Sequence, residues 1–212
     1  MFNEVIPVNP DSRQGVLCVV SGPSGSGKTT LCHRAAAELP GVTYSVSCTT
    51  RAPRIGEVNQ VDYHFLSRED FERRIATGEF LEHALVHQKY HYGTLKSAVL
   101  EHLRRGRDVV MDLDVQGAAQ LRASTDREIQ RALVDVFILP SNLAELEVRI
   151  RGRGEMPEEE LARRLRNAEE EMSHWPGYAY TIVSSDKEAD FSRFTSILTA
   201  ERLRTLRLRV EG

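Results

Sequence analysis

The stretch VLCVVSGPSGSGKTTL, residues 16–31, decides the fold. Its first five residues are an unbroken apolar run with three valines. A run without polar alternation reads as a strand covered on both faces, as in the middle of a parallel sheet. After the glycines, Thr29 to Leu39, with Ala35, Ala36 and Ala37, predicts a helix that Pro40-Gly41 stops. The loop between strand and helix fits G-x-x-x-x-G-K-[ST] at every fixed position. Glycines let the backbone curl until successive N–H groups face one anion, and the helix N-terminus adds its partial positive charge. Lys28 reaches the β- and γ-phosphates, and the Thr29 hydroxyl is a ligand for Mg²⁺. Gly22, Pro23, Ser24, Gly25, Ser26, Gly27, Lys28 and Thr29 are thus predicted to bind the phosphates of a nucleoside triphosphate. The loop does not say which reaction follows, because many chemistries share it.

Outward from that loop the same alternation continues. Asp108–Asp114, Leu133–Leu139 and Tyr180–Val183 read as further strands. Helical stretches separate and follow them at Thr94–Arg105, Gln116–Ala123, Ser141–Arg151, Glu158–Met172 and Phe191–Val210. Strands alternating with helices predict an α/β fold, a parallel sheet with helices on both faces. Residues 47–94 break the alternation with polar and aromatic pieces, and hold one helix that opens at Ser67 with Asp70 three residues on. The stretch 149–171, rich in Arg and Glu, reads as a mobile, solvated element.

Composition narrows the class. A chain of 212 residues suits one core with insertions. A net charge of −3 gives no basic excess for nucleic acid or an anionic membrane, so neither is expected as a partner. No apolar run approaches the ~18 residues of a membrane span, and the polar N-terminus has no signal pattern. Cys18, Cys32 and Cys48 lack metal-ligand spacing and read as buried small hydrophobes in a reducing, cytoplasmic setting. Of the 28 basic residues only Lys28, Lys89, Lys96 and Lys187 are lysines, so the lysine of the glycine loop stands out.

A second anion site is suggested by SCTTRAPRIGE at 47–57. Pro53 biases Ala52 to extended geometry, so Arg51 and Arg54 lie on a loop. Two guanidinium forks suit a phosphate, with Glu57 to orient one and Tyr63 and Tyr92 as hydroxyl donors. The same residues also fit a solvated Arg/Glu surface loop. His83, His87 and His91, spaced by four, read as surface histidines rather than a metal site, because Gly93 and the strand-like 80–86 argue against a helix there. Trp175 reads as a helix-end packing residue.

These blocks, together with GEFLEHA at 78–84, YGT at 92–94, DLDVQG at 112–117 and RIRGRGEMPEEELARRL at 149–165, closely resemble guanylate kinases in family order. The resemblance implies a P-loop NTPase-type core (1–46, 95–145 and 173–212), an inserted mixed α+β GMP-binding subdomain (47–94) and a helical lid (146–172). It implies Mg²⁺-dependent phosphoryl transfer from ATP to GMP, with dGMP as a second acceptor. Arg51, Arg54, Tyr63 and Tyr92 would hold the GMP phosphate, with Glu57 beside them. Glu82 would read guanine N1–H and the 2-amino group, and Ser47 and Thr94 would bond the base. Asp112 and Asp114 would lie near GMP and the Mg²⁺ water shell. Arg149, Arg153 and Arg164 would act from the lid with Lys28 and Arg51 on the transferring phosphoryl. Gly78, Gly93, Gly152 and Gly154 are hinge candidates.

The sequence also departs from the family. Ser184-Ser185-Asp186 stand where an Asn-Asp-Asp run is frequent, and His83 stands where Trp is frequent. Tyr92 rather than Tyr90 is assigned through the Tyr-Gly-Thr anchor. Two rival readings keep the fold but change the function. One is a non-catalytic guanylate-kinase-like phosphopeptide-binding module, which commonly lacks an intact phosphate loop. The other is a P-loop kinase of another phosphorylated small molecule, which should lack the Arg51/Arg54 block or Glu82.

Overall fold

The computed structural model describes residues 8–86, 88–152 and 156–210. In chain order the elements begin with β1 (Val8–Arg13), β2 (Leu17–Ser21), α1 (Lys28–Glu38), β3 (Val42–Tyr44), β4 (Cys48–Thr49), β5 (His64–Phe65) and α2 (Arg68–Ala76). There follow β6 (Phe80–Val86), β7 (Tyr90–Leu95), α3 (Lys96–Arg104), β8 (Asp108–Asp112), α4 (Val115–Arg122) and α5 (Arg127–Ala132). The rest is β9 (Leu133–Leu139), α6 (Leu143–Arg151), α7 (Glu158–Met172), β10 (Tyr180–Val183), α8 (Lys187–Arg202) and β11 (Leu208–Val210).

Five strands form a parallel sheet in the order β10-β9-β2-β8-β3. The apolar run at 16–20 is continuous because alternate residues serve opposite faces. Val16, Cys18 and Val20 pack with Leu31, Cys32, Phe194 and Leu198 from α1 and α8. Leu17 and Val19 pack on the other face with Leu103, Leu121 and Ile129 from α3, α4 and α5. All three cysteines are free and buried, and burial pushes the Cys18 and Cys32 thiols far above their ordinary value, so they are packing residues. Cys48 is pushed up to about 11, again chiefly by burial.

Residues 48–95 build a separate four-stranded sheet, ordered β5-β4-β7-β6. Helix α2 caps it, opened by the Ser67 hydroxyl, which accepts from Asp70 N–H at 3.0 Å. Phe71, Cys48 and Phe80 form its small core, and the Phe71 and Phe80 rings stack at 4.3 Å.

Several expectations are corrected. The C-terminal helix ends at Arg202, not Val210, and Leu208–Val210 pairs antiparallel with β1. Leu206-Arg-Leu-Arg-Val210 alternates with period two, which is a strand signal. Strand β1, Val8–Arg13, is thereby part of the fold. Of the arginines at 202–209, Arg202 and Arg207 pair with buried carboxylates. Arg202 Nε lies 2.6 Å from the buried Asp108, and Arg207 is 1% exposed. Strand β3, too short to show in the sequence, adds the sheet edge. The strand read as 108–114 stops at Asp112, and Asp114 caps α4 by accepting from Gly117 N–H at 2.8 Å. Thr94 belongs to β7 rather than to a helix. His91 is not at the surface but stacks on Phe71 at 5.1 Å, while Trp175 is 44% exposed on a single 3₁₀ turn. His87 lies outside the described residues.

Among the described residues no helix is long and apolar enough to cross a membrane.

Candidate active site

The phosphate loop leaves β2 at the C-terminal edge of the parallel sheet, where the connections that leave the neighbouring strands β2 and β8 cross to opposite sides of the strand order. Gly22 has φ of 145°, and a Cβ there would meet the Ile138 carbonyl oxygen at 2.4 Å, so only glycine fits. Gly27, at φ of 94°, turns the chain into α1. The Lys28 ammonium donates to the carbonyls of Gly22 and Pro23 at 2.6 and 3.0 Å, which puts its charge at the loop's mouth.

Three cavities adjoin this loop. One of about 300 Å³ is walled by the loop itself, Asp112, Asp114 and Glu171. A second, of about 350 Å³, lies between the two sheets and is lined by Ser47, Tyr63, Glu82, Tyr92, Asp112 and Asp114. Both include Thr29, Asp112, Leu113 and Asp114, so the two cavities share a wall. A third, of about 570 Å³, runs from Gly25 and Gly27 past Arg34 and Arg149 to Asp186 and Lys187.

The shared wall is built at strand ends. Asp112 closes β8, and its two carboxylate oxygens accept from the hydroxyls of Thr29 and Tyr44, each at 2.6 Å. Glu82 lies on β6, opposite Thr94 of β7, and is 6% exposed. Its carboxyl is pushed up to about 7, first by burial and then by the Asp114 charge, with Thr94 bonding in opposition.

The loop 51–57 is folded around Glu57. Arg51 makes a two-pronged bond to it, 2.9 Å on each prong, and donates to the Tyr92 hydroxyl at 3.3 Å. Arg54 N–H also donates to Glu57, at 2.7 Å. These bonds hold the Glu57 carboxyl below its usual range, the Arg51 bond contributing most. Tyr63 and Tyr92 meet edge to face at 5.9 Å, and Arg51 lies over the Tyr63 ring at 5.5 Å.

Of the sequence-predicted residues, Ser47, Tyr63, Glu82, Tyr92, Asp112 and Asp114 come together around one cavity. Arg51 reaches it through Tyr92, and Thr94 sits behind Glu82. Arg54 is exposed at the loop's tip. Arg149 lines the third cavity, paired with Glu145 and 3.5 Å from Ser184 Oγ. Arg164 is held by Glu160 at 2.8 Å and lines none of the three. Arg153 and Gly154 lie outside the described residues.

Three site residues escaped the sequence reading. Tyr44 bonds Asp112. His33 stacks on Tyr44 at 4.2 Å. Glu171, near the C-terminal end of α7, accepts from Ser24 N–H beside Lys28, and burial raises its carboxyl. No local pattern marks any of them.

Comparison with known proteins finds similarity over nearly the whole chain. The chain matches the family "Guanylate kinase" over residues 14–201. It is 46% identical to the guanylate kinase of Maricaulis maris, over 95% of this chain and 90% of that one. It is 45% identical to the guanylate kinase of Paramagnetospirillum magneticum, over 91% and 88%. The fold superposes on the crystal structure of guanylate kinase from Anaplasma phagocytophilum with a TM-score of 0.72 and 32% identity, covering 93% and 91% of the two chains.

Proposed function

The chain belongs to the guanylate kinase family, and from that premise we propose that it moves the ATP γ-phosphoryl onto GMP across the wall shared by its two smaller cavities. It is a phosphotransferase of the nucleoside monophosphate kinase type. The shared wall carries the reading. Two anion pockets that meet at Thr29 and Asp112 bring a donor's terminal phosphate and an acceptor's phosphate face to face.

The phosphate loop takes the donor's tail, and Arg51, Arg54, Tyr63 and Tyr92 take the GMP phosphate. Glu82 reads the base. Guanine presents two adjacent donors at N1 and C2, and one carboxylate accepts both. Adenine presents an acceptor at N1 and would leave the buried Glu82 unpaired, a mismatch that such sites reject by ~10⁴. No general base is needed, because the attacking phosphate oxygen is already ionised.

Mg²⁺ fits the donor chemistry here. Thr29, Asp112 and Asp114 offer hard oxygen atoms, and the Thr29 hydroxyl has its proton on Asp112 and its lone pairs free. Mg²⁺ typically reaches such a site with nucleotide phosphates and needs only one or two protein oxygens. When bound, it neutralises charge on the transferring phosphoryl. Lys28 shares that task, and Arg149 joins it by exchanging Glu145 for phosphate. The three free, buried thiols support the reducing cytoplasm as the setting.

An ADP-release assay over GMP, dGMP, AMP, UMP and ribose phosphates tests the reading. GMP should lead AMP by ~10⁴ in kcat/KM, and Glu82→Gln should cut that ratio by at least ~10². Equal rates on GMP and AMP in the parent chain would exclude it.

A further inference from the structure

Asp112 has a bond to each of its oxygens, and the two donors differ in origin. Thr29 belongs to the phosphate loop. Tyr44 is the last residue of β3, an edge strand of three residues that no nucleotide-binding pattern includes. The Tyr44 ring is held from two sides. Its strand runs parallel to β8 with Tyr44 opposite Val110, and Ser45 N–H donates to the Val110 carbonyl at 2.9 Å. His33 from α1 packs on the ring at 4.2 Å and 32°. Burial, and then the Asp112 charge, push the phenol far above its ordinary value, so it stays a neutral donor.

We propose that Tyr44 is a positioning residue for phosphoryl transfer, fixing Asp112 and through it the Thr29 hydroxyl that meets the nucleotide-bound divalent cation. The inference rests on the kinase reading above. A hydroxyl has one proton and two lone-pair directions. While Asp112 Oδ2 holds the Thr29 proton, the lone pairs of Thr29 are left for a cation. The carboxylate can do this in one orientation only if its other oxygen is also held, and the Tyr44 hydroxyl holds it. Both donors are hydroxyls, one on each carboxylate oxygen. Bonds to an ionised acceptor are roughly twice as strong as neutral ones, which is why two hydroxyls suffice.

Tyr44→Phe removes the hydroxyl and leaves the ring on His33. Calorimetry should compare a non-hydrolysable ATP analogue in Mg²⁺ and in EDTA. The gain in affinity from Mg²⁺ should fall ~5-fold in the variant while affinity in EDTA is unchanged, the size expected for one charge-assisted bond. In the ADP-release assay kcat should fall ~10-fold with the KM for GMP within ~2-fold. Asp112→Asn alone should lose the Mg²⁺ gain, and Tyr44→Phe added to it should cost nothing more. An unchanged Mg²⁺ gain, equal losses in Mg²⁺ and EDTA, or additive losses in the double variant would each overturn the role of Tyr44. A parent chain that binds the Mg²⁺ complex yet leaves GMP untouched would instead sink the kinase reading, and the calorimetric comparison would still decide on Tyr44.

Discussion

Glu82 is the residue whose environment most directly exposes the site's chemistry. A carboxyl whose folded value is raised from 4.5 to about 7 binds its proton more tightly in the folded than in the unfolded chain. Its contribution to folding is therefore most favourable at low pH and declines as pH rises from about 4.5 to about 7. The full span is about 3 kcal/mol, since one pKa unit is worth about 1.4 kcal/mol. Ligand-free protein should lose stability across that window, measured by chemical denaturation at fixed pH values. Glu82→Gln, which cannot ionise, should flatten that part of the profile and be the more stable form at pH 8. Matching slopes for the two proteins would show that Glu82 does not carry this penalty. The penalty has a use. On the proposed reading, guanine donors would restore what burial removes, so discrimination would be built into the site before the base arrives. Sequence alone named Glu82 only through the Gly-Glu-Phe-Leu-Glu block, because burial is a property of the folded strand pair. Tyr44 and Glu171 were illegible for a related reason. Tyr44 meets Asp112 across 68 residues of chain, and no periodicity encodes such a meeting.

At the scale of single elements, the loop 51–57 was the most legible part of the acceptor side. Pro53 and the Arg-x-x-Arg spacing announced an extended loop with two forks, and Glu57 was expected to orient one of them. The structure adds the reason for its shape: one carboxylate takes both prongs of Arg51 and the Arg54 N–H. Arg51 is thus aimed before any ligand arrives, which lowers the ordering cost of binding. Glu57→Gln keeps the volume but gives up the charged fork. It should raise the KM for GMP ~10-fold, leave kcat within ~2-fold and leave affinity for an ATP analogue unchanged. A fall in kcat with an unchanged KM would show that Glu57 acts on the chemical step instead. The element least legible was the chain's end. Arginines at 202–209 look solvated in sequence, because burial of Arg requires a partner that the local pattern cannot show.

Across the whole molecule, Arg202 and Arg207 tie distant parts of the chain together. That the large sheet is parallel was legible in the buried runs read at 16–20, 108–114 and 133–139, but the tie between its distant parts was not. Arg207 donates to the Glu201 carboxylate at 2.8 Å and to the Glu201 and Arg131 carbonyls. Its own carbonyl accepts from Gln14 N–H at 2.8 Å, and Tyr180 donates to Glu201 at 2.7 Å. Burial would raise the Glu201 carboxyl, yet the Arg207 and Tyr180 bonds together hold it below the usual range. Beside this pair, Asp108 takes Arg13 and Arg202 at 2.6 Å each. The N-terminal strand, α5, β10 and the C-terminus are thus knotted around the buried charges of Asp108, Glu201 and Arg207. Such a pair is costly to break singly, because the survivor is left buried and uncompensated. Arg207→Met should destabilise the protein by about 3–5 kcal/mol, measured by urea denaturation. Adding Glu201→Leu should recover most of that loss by removing the stranded carboxylate, although the Tyr180 hydroxyl and Arg204 then lose their acceptor. If the double variant proves no more stable than Arg207→Met, the cost lies in packing and backbone bonds of Arg207 rather than in the stranded charge. GMP turnover at a temperature where both variants are folded should match the parent, since the knot lies outside all three cavities of the site.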